Sequence, residues 1–399
     1  MSVVVVGAGQ AGLAVSHELT QAAVDHVVLE RGRLGETWRG RWDSFCLVTP
    51  NWTVQLPGGG YDGDDPDGFM RRDEIVEHLC RYAASFDAPV REGVVVTSLQ
   101  SANGGFVLET SVGRIDAAAV VLATGAYQRP HRPPGVATLP ADLLQIDVEG
   151  YRNPGALPPG AVLIVGSGQS GCQIAEELYE AGRDVVLACG RVHWAPRRLA
   201  DRDLMWWLKE SGALDDSLAD LPGPDARLLA NVLATGHHGG HDIHFRTLQS
   251  LGITLVGHFL GTDGRQARFA SDLAETVAWS DERHAKLMDR FRKLAIEHAI
   301  AIDIPAPERF DATAPDAVDL SDFGAVILTS GFRPDYASWV HAPGAFDDDG
   351  FPVHEQCAST VASGLYFVGA HYLRTRKSSL LIGVGEDAAI VAHHIKVKT

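Results

Sequence analysis

The sequence predicts an α/β protein made of two Rossmann-like, dinucleotide-binding domains, one inserted in the other. Two observations carry this prediction: the stretch VVVVGAGQAG runs from Val3 to Gly12, and VLIVGSGQSG runs from Val162 to Gly171. In each stretch an apolar run leads into the spacing GxGxxG, which is typical of a buried parallel strand that turns onto the first turn of a helix. Backbone N–H groups and the helix dipole at such a turn can hold a pyrophosphate. The motif residues expected at the two dinucleotides are Gly7, Gly9, Gly12, Gly166, Gly168, Gln169, Ser170 and Gly171.

The residue that follows the next strand distinguishes the two sites. The run Asp25 to Leu29 is followed by Glu30, whose carboxylate can accept hydrogen bonds from both ribose hydroxyls of an adenosine. The matching position after the second motif is Ala188, with Arg191 and then Arg197 beyond it. Guanidinium groups in place of a carboxylate suit a 2′-phosphate. We therefore predict FAD at the first site, bound by Glu30, and NADPH at the second, bound by Arg191 and Arg197. An ordinary surface position is the alternative for each arginine.

Two strand-to-turn exits mark where the chain crosses between the domains. The run Ile115 to Ala123 continues into Thr124 and Gly125, and the run Ala325 to Leu328 continues into a turn with Gly331. We expect the three turn residues to contact cofactor. The predicted boundaries are 1–157 and 323–399 for the FAD domain and 158–322 for the inserted NADP domain. Segment 201–242 could form a lid over the site, with plain helix packing as the alternative.

The C-terminal region is expected to return to the flavin. A last strand ends at Gly369, and Ser379, Leu380 and Leu381 precede a terminal helix. Backbone amides at the start of that helix could stabilise the negative charge of a reduced flavin. We therefore count these four residues among the cofactor-binding set.

Composition limits the partners of this chain. Its 399 residues are 45% hydrophobic and carry a formal net charge of −17, whereas nucleic acids and anionic membranes require a basic face. No apolar stretch approaches the roughly 20 residues of a membrane span, and the first strand leaves no room for a signal peptide. We expect a cytoplasmic enzyme with a small-molecule substrate, no nucleic-acid or membrane partner, and a homodimer as an option.

Cysteines and histidines argue against two further kinds of site. The five cysteines are scattered, without the paired spacing of a redox dithiol. His237, His238, His241 and His244 lie close in sequence, but no cysteine or carboxylate stands in ligand register with them, and Gly239 and Gly240 interrupt any helix. The sequence therefore predicts a solvated loop there and no metal site.

Several of these segments together resemble the class B flavin-dependent monooxygenases, a family that includes flavin-containing monooxygenases, YUCCA enzymes and Baeyer–Villiger monooxygenases. The resemblance rests on the double GxGxxG motif, the Ala-Thr-Gly linker, the segment Ser330 to Asp335 and the segment Gly35 to Arg39. It implies that FAD lies beside Trp38 and Arg39, and that NADPH reduces it. It also implies that the reduced flavin adds O2 to give a C4a-(hydro)peroxyflavin, which oxygenates a nitrogen, a sulfur or a carbonyl group.

The same resemblance implies the catalytic residues. The segment Arg41 to Trp52 is similar to the family stretch beside the flavin, with Asn51 presenting its amide to the peroxide and Thr49 next to it. The family has a histidine in the domain linker, and that position falls on Asp147 here. A turn-forming role is the alternative for Asn51. A flavin oxidase or electron-transfer reductase, and a non-catalytic nucleotide sensor, are the alternative functions.

Overall fold

The computed structural model describes residues 3–102, 104–229 and 231–398. Within them the α-helices are α1 (Gln10–Gln21), α2 (Glu36–Arg39), α3 (Arg72–Ser85), α4 (Gln169–Glu180), α5 (Leu204–Glu210), α6 (Phe245–Leu251), α7 (Leu273–Glu297) and α8 (Val384–Lys398). One mainly parallel and one fully parallel sheet organise these helices, which confirms the predicted fold class. No helix among the described residues combines the length and apolar character needed to cross a membrane.

The first sheet holds the first glycine motif. Its central strand, Val3–Val6, is fully apolar and buried, as expected for a parallel strand covered on both faces. In spatial order the sheet contains His354–Glu355, Ala358–Ser359, Leu365–Phe367, Ala119–Leu122, Val3–Val6, His26–Leu29 and Val90–Arg91. A four-stranded sheet, Val340–His341, Val96–Ala102, Gly105–Thr110 and Gly113–Ala117, accompanies it.

The second sheet repeats this plan around the second motif. In spatial order it contains Leu144–Asp147, Phe323–Leu328, Ala161–Val165, Val185–Ala188 and Thr254–Val256, all parallel. The antiparallel strands Phe259–Asp263, Gln266–Phe269 and Ala317–Asp319 form a small sheet beside it. Short two-stranded pairs complete the fold: Gln55–Leu56 with Gly59–Gly60, His193–Trp194 with Val232–Leu233, and Arg198–Leu199 with Arg202–Asp203.

Strand pairing moves the domain boundaries from their predicted places. Leu144–Asp147 and Phe323–Leu328 pair with each other, and the latter also pairs with Ala161–Val165. Both Leu144–Asp147 and Phe323–Leu328 therefore belong to the second sheet, although the sequence-based division assigned residues 144–147 and 323–328 to the first domain. The inserted domain thus starts before residue 144 and ends after residue 328.

The two crossing segments pair with each other between the sheets. Arg129–Pro130 and Phe332–Arg333 form a short antiparallel ribbon. Gln128 reinforces it, because its side-chain amide donates to the carbonyl oxygen of Gly125 at 2.9 Å and accepts from the backbone N–H of Asp335 at 2.7 Å. The domains are therefore joined by one two-stranded connection.

Segment 201–242 is mostly packed rather than lid-like. Trp207 of α5 is fully buried, donates from its indole N–H to the carbonyl oxygen of Leu199 at 3.0 Å and lies against Phe291 of α7. This is the helix-packing alternative for that part of the segment. Only its later residues, such as Leu228 and Leu233, reach the large cavity described next.

Candidate functional site

A cavity of about 960 Å³ lies between the two domains and is lined by both glycine motifs. This volume falls in the upper part of the range of small-molecule and cofactor sites. The sequence-predicted residues that line it are Gly7, Gly9, Glu30, Trp38, Thr49, Thr124, Gly125, Gly166, Gly168, Gln169, Ser170, Arg191, Gly331, Gly369, Ser379, Leu380 and Leu381.

The two motifs have the same local geometry. Gly7 and Gly166 have φ values of +106° and +109°, which favour glycine, and a Cβ atom there would lie 2.6 Å from the Ala123 carbonyl oxygen or 2.7 Å from that of Thr329. The third glycine of each motif is also required by packing. A Cβ atom on Gly12 or Gly171 would collide with the carbonyl oxygen of the first glycine. These third glycines support the turn without lining the cavity.

The middle glycines leave room for a ligand. Gly9 and Gly168 precede α1 and α4 in extended conformations, and a Cβ atom at either position would have nothing within 4 Å among the described residues. Both face the cavity. The open space at the amino end of each helix is thus available to an anionic group such as a pyrophosphate.

We call the turn of each glycine motif, with the amino end of the helix that follows it, a cradle: the first precedes α1 and the second precedes α4. Glu30 lies at the edge of the first cradle and is 7% exposed. Its carboxylate accepts hydrogen bonds from the backbone N–H of Ala8 at 2.7 Å and of Gly32 at 3.0 Å. These bonds hold the carboxylate at the end of the His26–Leu29 strand, in the cavity wall. The residues present therefore fit an adenosine ribose at this end.

Gln10 connects the N-terminal motif to the part of the cavity wall that contains Trp38 and Ser379. Its side-chain oxygen accepts from the indole N–H of Trp38 at 2.9 Å, and its amide donates to the carbonyl oxygen of Ser379 at 3.3 Å. Leu380 and Leu381 follow in the wall, shortly before α8 begins. Arg39 is placed differently from the prediction, because its guanidinium donates to the Leu34 carbonyl oxygen at 3.0 Å and does not line the cavity.

The catalytic position predicted for Asn51 requires correction. Asn51 is 4% exposed and lies behind the cavity wall. Its amide nitrogen donates to the carbonyl oxygen of Asp65 at 2.9 Å, and its amide oxygen accepts from the N–H of Met70 at 2.7 Å. Asn51 therefore organises the loop before α3, which is the turn alternative. Thr49 does line the cavity, with its hydroxyl oxygen 2.9 Å from that of Thr53.

Asp147 and Arg197 also lie away from the cavity. Asp147 ends a strand of the second sheet and forms a two-bonded ion pair with Arg132, with nitrogen–oxygen distances of 2.6 and 3.0 Å. Arg197 is 2% exposed, pairs with Asp203 at 2.7 Å and donates to the Val48 carbonyl oxygen at 2.7 Å. Because their charges are paired outside the cavity, both predicted site roles are corrected to structural ones.

The cavity wall beside the second cradle contains two residues that the sequence did not predict, His258 and Asp272. Ala188 and Arg191 line this end, together with His258 and Asp272. The His258 Nδ1 lies 2.5 Å from the Asp272 carboxylate, which also accepts from the His258 backbone N–H at 3.0 Å. Asp272 is thereby paired, which leaves Arg191, over Trp279 at 5.8 Å, to face an anion.

An aromatic wall between the cradles was also missed. The Tyr127 ring contacts Phe332 at 5.3 Å and His371 at 5.2 Å, and the guanidinium of Arg41 lies 5.3 Å from the same ring. All four residues line the cavity. Burial lowers the pKa of His371 to about 4, so its imidazole is neutral at pH 7. The available signal was the position of Tyr127, two residues after the Ala-Thr-Gly linker.

The cysteines offer no redox dithiol among the described residues. All five are free. Burial raises the pKa of the Cys172 thiol beside the second motif, and that of Cys189 as well. Neither thiol is therefore a ready thiolate nucleophile.

Comparison with known proteins places this geometry in a family. Residues 4–210 match the family described as "Pyridine nucleotide-disulphide oxidoreductase". An "Uncharacterized oxidoreductase CzcO-like" of Geobacillus kaustophilus is 31% identical over 402 residues, covering 99% of this chain and 98% of the relative. The "Probable indole-3-pyruvate monooxygenase YUCCA3" of Arabidopsis thaliana is 24% identical over 411 residues, covering 98% and 86%.

Solved structures show the same fold. The "Flavin-containing monooxygenase from Stenotrophomonas maltophilia" superposes with a TM-score of 0.70 at 17% identity, covering 100% of this chain and 98% of that one. Fold and cavity thus define a two-domain oxidoreductase that uses a flavin and a nicotinamide nucleotide. The chain belongs to the pyridine nucleotide-disulphide oxidoreductase family. The indole-3-pyruvate monooxygenase relative and the flavin monooxygenase fold support the resemblance to class B flavin monooxygenases that the sequence predicted.

Proposed function

We propose that this enzyme is an FAD-containing, NADPH-dependent monooxygenase that oxygenates a nitrogen, a sulfur or a carbonyl group of a small molecule. The observation that carries the proposal is the single cavity lined by two glycine cradles of matching geometry. Such a cavity allows two dinucleotides to meet with their reactive ends together. The aromatic wall of Tyr127, Phe332 and His371 lies in the same volume.

The assignment of FAD and NADPH rests on the residues beside each cradle. Glu30 offers a carboxylate to a ribose at the first cradle, which suits an adenosine without a 2′-phosphate. At the second cradle Ala188 removes that carboxylate, and Arg191 provides a cation for a 2′-phosphate.

When bound, the nicotinamide would supply a hydride and the flavin would accept it and react with O2. The chain's own residues bind, orient and exclude water. The Gln10 side chain fixes Trp38 against the Ser379 backbone, so that the flavin-side wall is rigid. The neutral imidazole of His371 can relay a proton at the aromatic wall, accepting it at one ring nitrogen and donating one from the other, without a net change in charge.

One observation favours the alternative of a flavin oxidase. Because both polar ends of the Asn51 amide are used outside the cavity, the segment Arg41 to Trp52 presents Arg41 and Thr49 to it but no amide. A site with fewer hydrogen-bond donors for a bound oxygen species would release more H2O2.

The test is a balance of electrons in the purified, FAD-loaded protein. NADPH oxidation, H2O2 release and product formation would be measured with an amine, a thioether and a ketone. Product equal to the NADPH consumed with one of the three supports the monooxygenase. Full recovery of electrons as H2O2 with all three favours the oxidase, and no NADPH turnover in air would contradict both enzymatic functions.

A further inference from the structure

Two histidines that sequence reasoning assigned to a solvated loop meet a carboxylate in the fold. Glu180 ends α4, and His237 and His238 lie in the loop after the Val232–Leu233 strand. The His237 Nε2 is 3.0 Å from one Glu180 carboxylate oxygen, and the His238 Nε2 is 3.1 Å from the other. All three possible ligand atoms lie within 4.8 Å of one another.

The backbone brings the two rings to one point. Neighbouring side chains usually diverge, but His238 adopts a left-handed conformation with φ 50° and ψ 34°, which is uncommon for a residue other than glycine. As a result the centroids of the His237 and His238 rings are 3.8 Å apart. Both rings therefore address the same carboxylate from the same side.

A second contact holds this loop on the same helix. The His241 Nε2 lies 2.7 Å from a carboxylate oxygen of Glu176, one turn before Glu180 on α4. Arg198 donates to the carbonyl oxygens of Gly239 and Gly240 at 2.9 and 2.8 Å. The loop is thus fixed directly after the histidine pair, which helps to preorganise the three ligand atoms.

The donor set matches a transition-metal ion. Two neutral imidazole nitrogens and one carboxylate oxygen are a recurring zinc set that leaves a fourth position for water. Metal–ligand bonds of about 2.0–2.2 Å place tetrahedral ligand atoms about 3.3 Å apart, close to the separations of 3.0 and 3.1 Å seen here.

We propose that Glu180, His237 and His238 form a binding site for one divalent transition-metal ion of the zinc class. The ion takes the place of the hydrogen atoms shared between the imidazoles and the carboxylate. Each ring then binds through Nε2 as the neutral tautomer whose single hydrogen has moved from Nε2 to Nδ1. The side chains of His237, His238 and Glu180 are 30%, 65% and 40% exposed, so the ion enters directly from solvent.

The proposed metal site lies on a loop that is also attached to the first residue of α4. Gln169, the first residue of α4, donates to the carbonyl oxygen of Ala234 and accepts from its N–H at 3.1 Å. The loop is therefore attached to both ends of the helix that forms the second cradle. A bound ion fixes the loop at Glu180, the end of α4 opposite Gln169.

The test is Zn²⁺ binding by the untagged, FAD-loaded full chain, measured by equilibrium dialysis. Co²⁺ is a second probe, because its visible spectrum reports the coordination geometry. His237→Ala, His238→Ala and Glu180→Gln are compared with His341→Ala, a change at an exposed histidine of the Val340–His341 strand. Thermal unfolding with and without Zn²⁺ checks that each variant is folded, since a ligand that binds the native state raises its stability.

We expect one ion per chain in the wild type and in His341→Ala. Each ligand change should weaken binding by at least about 10- to 100-fold, the cost of losing even a partner of a metal ligand. The ion should raise the melting temperature of the wild type and the control, and much less that of the ligand variants. Absence of Zn²⁺ uptake by the wild type at excess metal, or equal uptake by the ligand variants, would overturn the proposal.

Discussion

Replacing one middle glycine at a time should separate the two dinucleotide sites. Gly9 and Gly168 have φ values of −82° and −69°, which any residue can adopt, and a Cβ atom at either position has open space on its protein side. Gly9→Val and Gly168→Val should therefore fold. Each isopropyl group would then occupy the volume that a pyrophosphate needs.

The expected magnitude follows from the contacts that are blocked. A hydrogen bond to a charged group contributes about 1.5–3 kcal/mol, so losing two backbone N–H contacts to a phosphate costs about 3–6 kcal/mol. At 1.4 kcal/mol per tenfold, binding weakens about 10²- to 10⁴-fold. By contrast, valine in place of glycine before a helix costs only about 1 kcal/mol of folding stability.

The assay measures both ligands in both variants. Flavin content is read from the visible spectrum, NADP⁺ binding by titration calorimetry, and folding by thermal unfolding. Gly223→Val is the matched control, since Gly223 lies in a loop outside the cavity with nothing within 4 Å of its added Cβ and no left-handed φ. Gly9→Val should lose flavin, and Gly168→Val should lose NADP⁺ but keep flavin. Loss of flavin in Gly168→Val with retention in Gly9→Val would refute the assignment of the two cradles.

Four further outcomes are expected. Arg191→Ala should raise the KM for NADPH by a factor that corresponds to about 1.5–3 kcal/mol and leave the KM for NADH unchanged; equal use of both coenzymes by the wild type would contradict this. Asn51→Ala should lower the free energy of unfolding by about 1–3 kcal/mol in denaturant titrations, since two buried backbone groups lose their partner, and unchanged stability would count against the loop role. Asp147→Asn should leave the ratio of H2O2 to NADPH unchanged, and a shifted ratio would restore its sequence-based role. Burial lowers the pKa of His193 and His244 from 6.5 to about 4. The unfolded chain therefore binds more protons between these values, and the melting temperature should fall as pH drops from 6.5 toward 4. His193→Gln should flatten this fall, and a wild-type melting temperature that stays constant over this range would contradict the shift.

The fold could be read from the sequence because its decisive signal is local. A strand, a turn and a helix start lie within ten residues in each glycine motif, and the positive φ values of Gly7 and Gly166 give a local reason for glycine at both turns. Strand membership was harder. Leu144–Asp147 and Phe323–Leu328 pair across almost 180 residues, and no local pattern tells which sheet an apolar strand joins.

The candidate site was predicted less completely than the fold, because partners distant in sequence decide the roles of its side chains. Asn51 and Arg197 carry side chains that suit a site, but their partners at Asp65 and Asp203 decide their roles. Tertiary packing also supplies the carboxylate that the histidine segment lacks in sequence, since Glu180 contacts His237 from 57 residues away.

The inserted arrangement of the second sheet affects the order in which the chain can fold during synthesis. All strands of that sheet lie between residues 144 and 328, so they have left the ribosome before the first sheet is complete. The first sheet stays incomplete until Leu365–Phe367 is synthesised, because this strand pairs with Ala119–Leu122. We expect the inserted domain to become protease-resistant first, whereas the strand Ala119–Leu122 stays unpaired on one side until Leu365–Phe367 emerges. Limited proteolysis of nascent chains arrested near residue 345 would detect this, and a protected N-terminal domain at that length would contradict it.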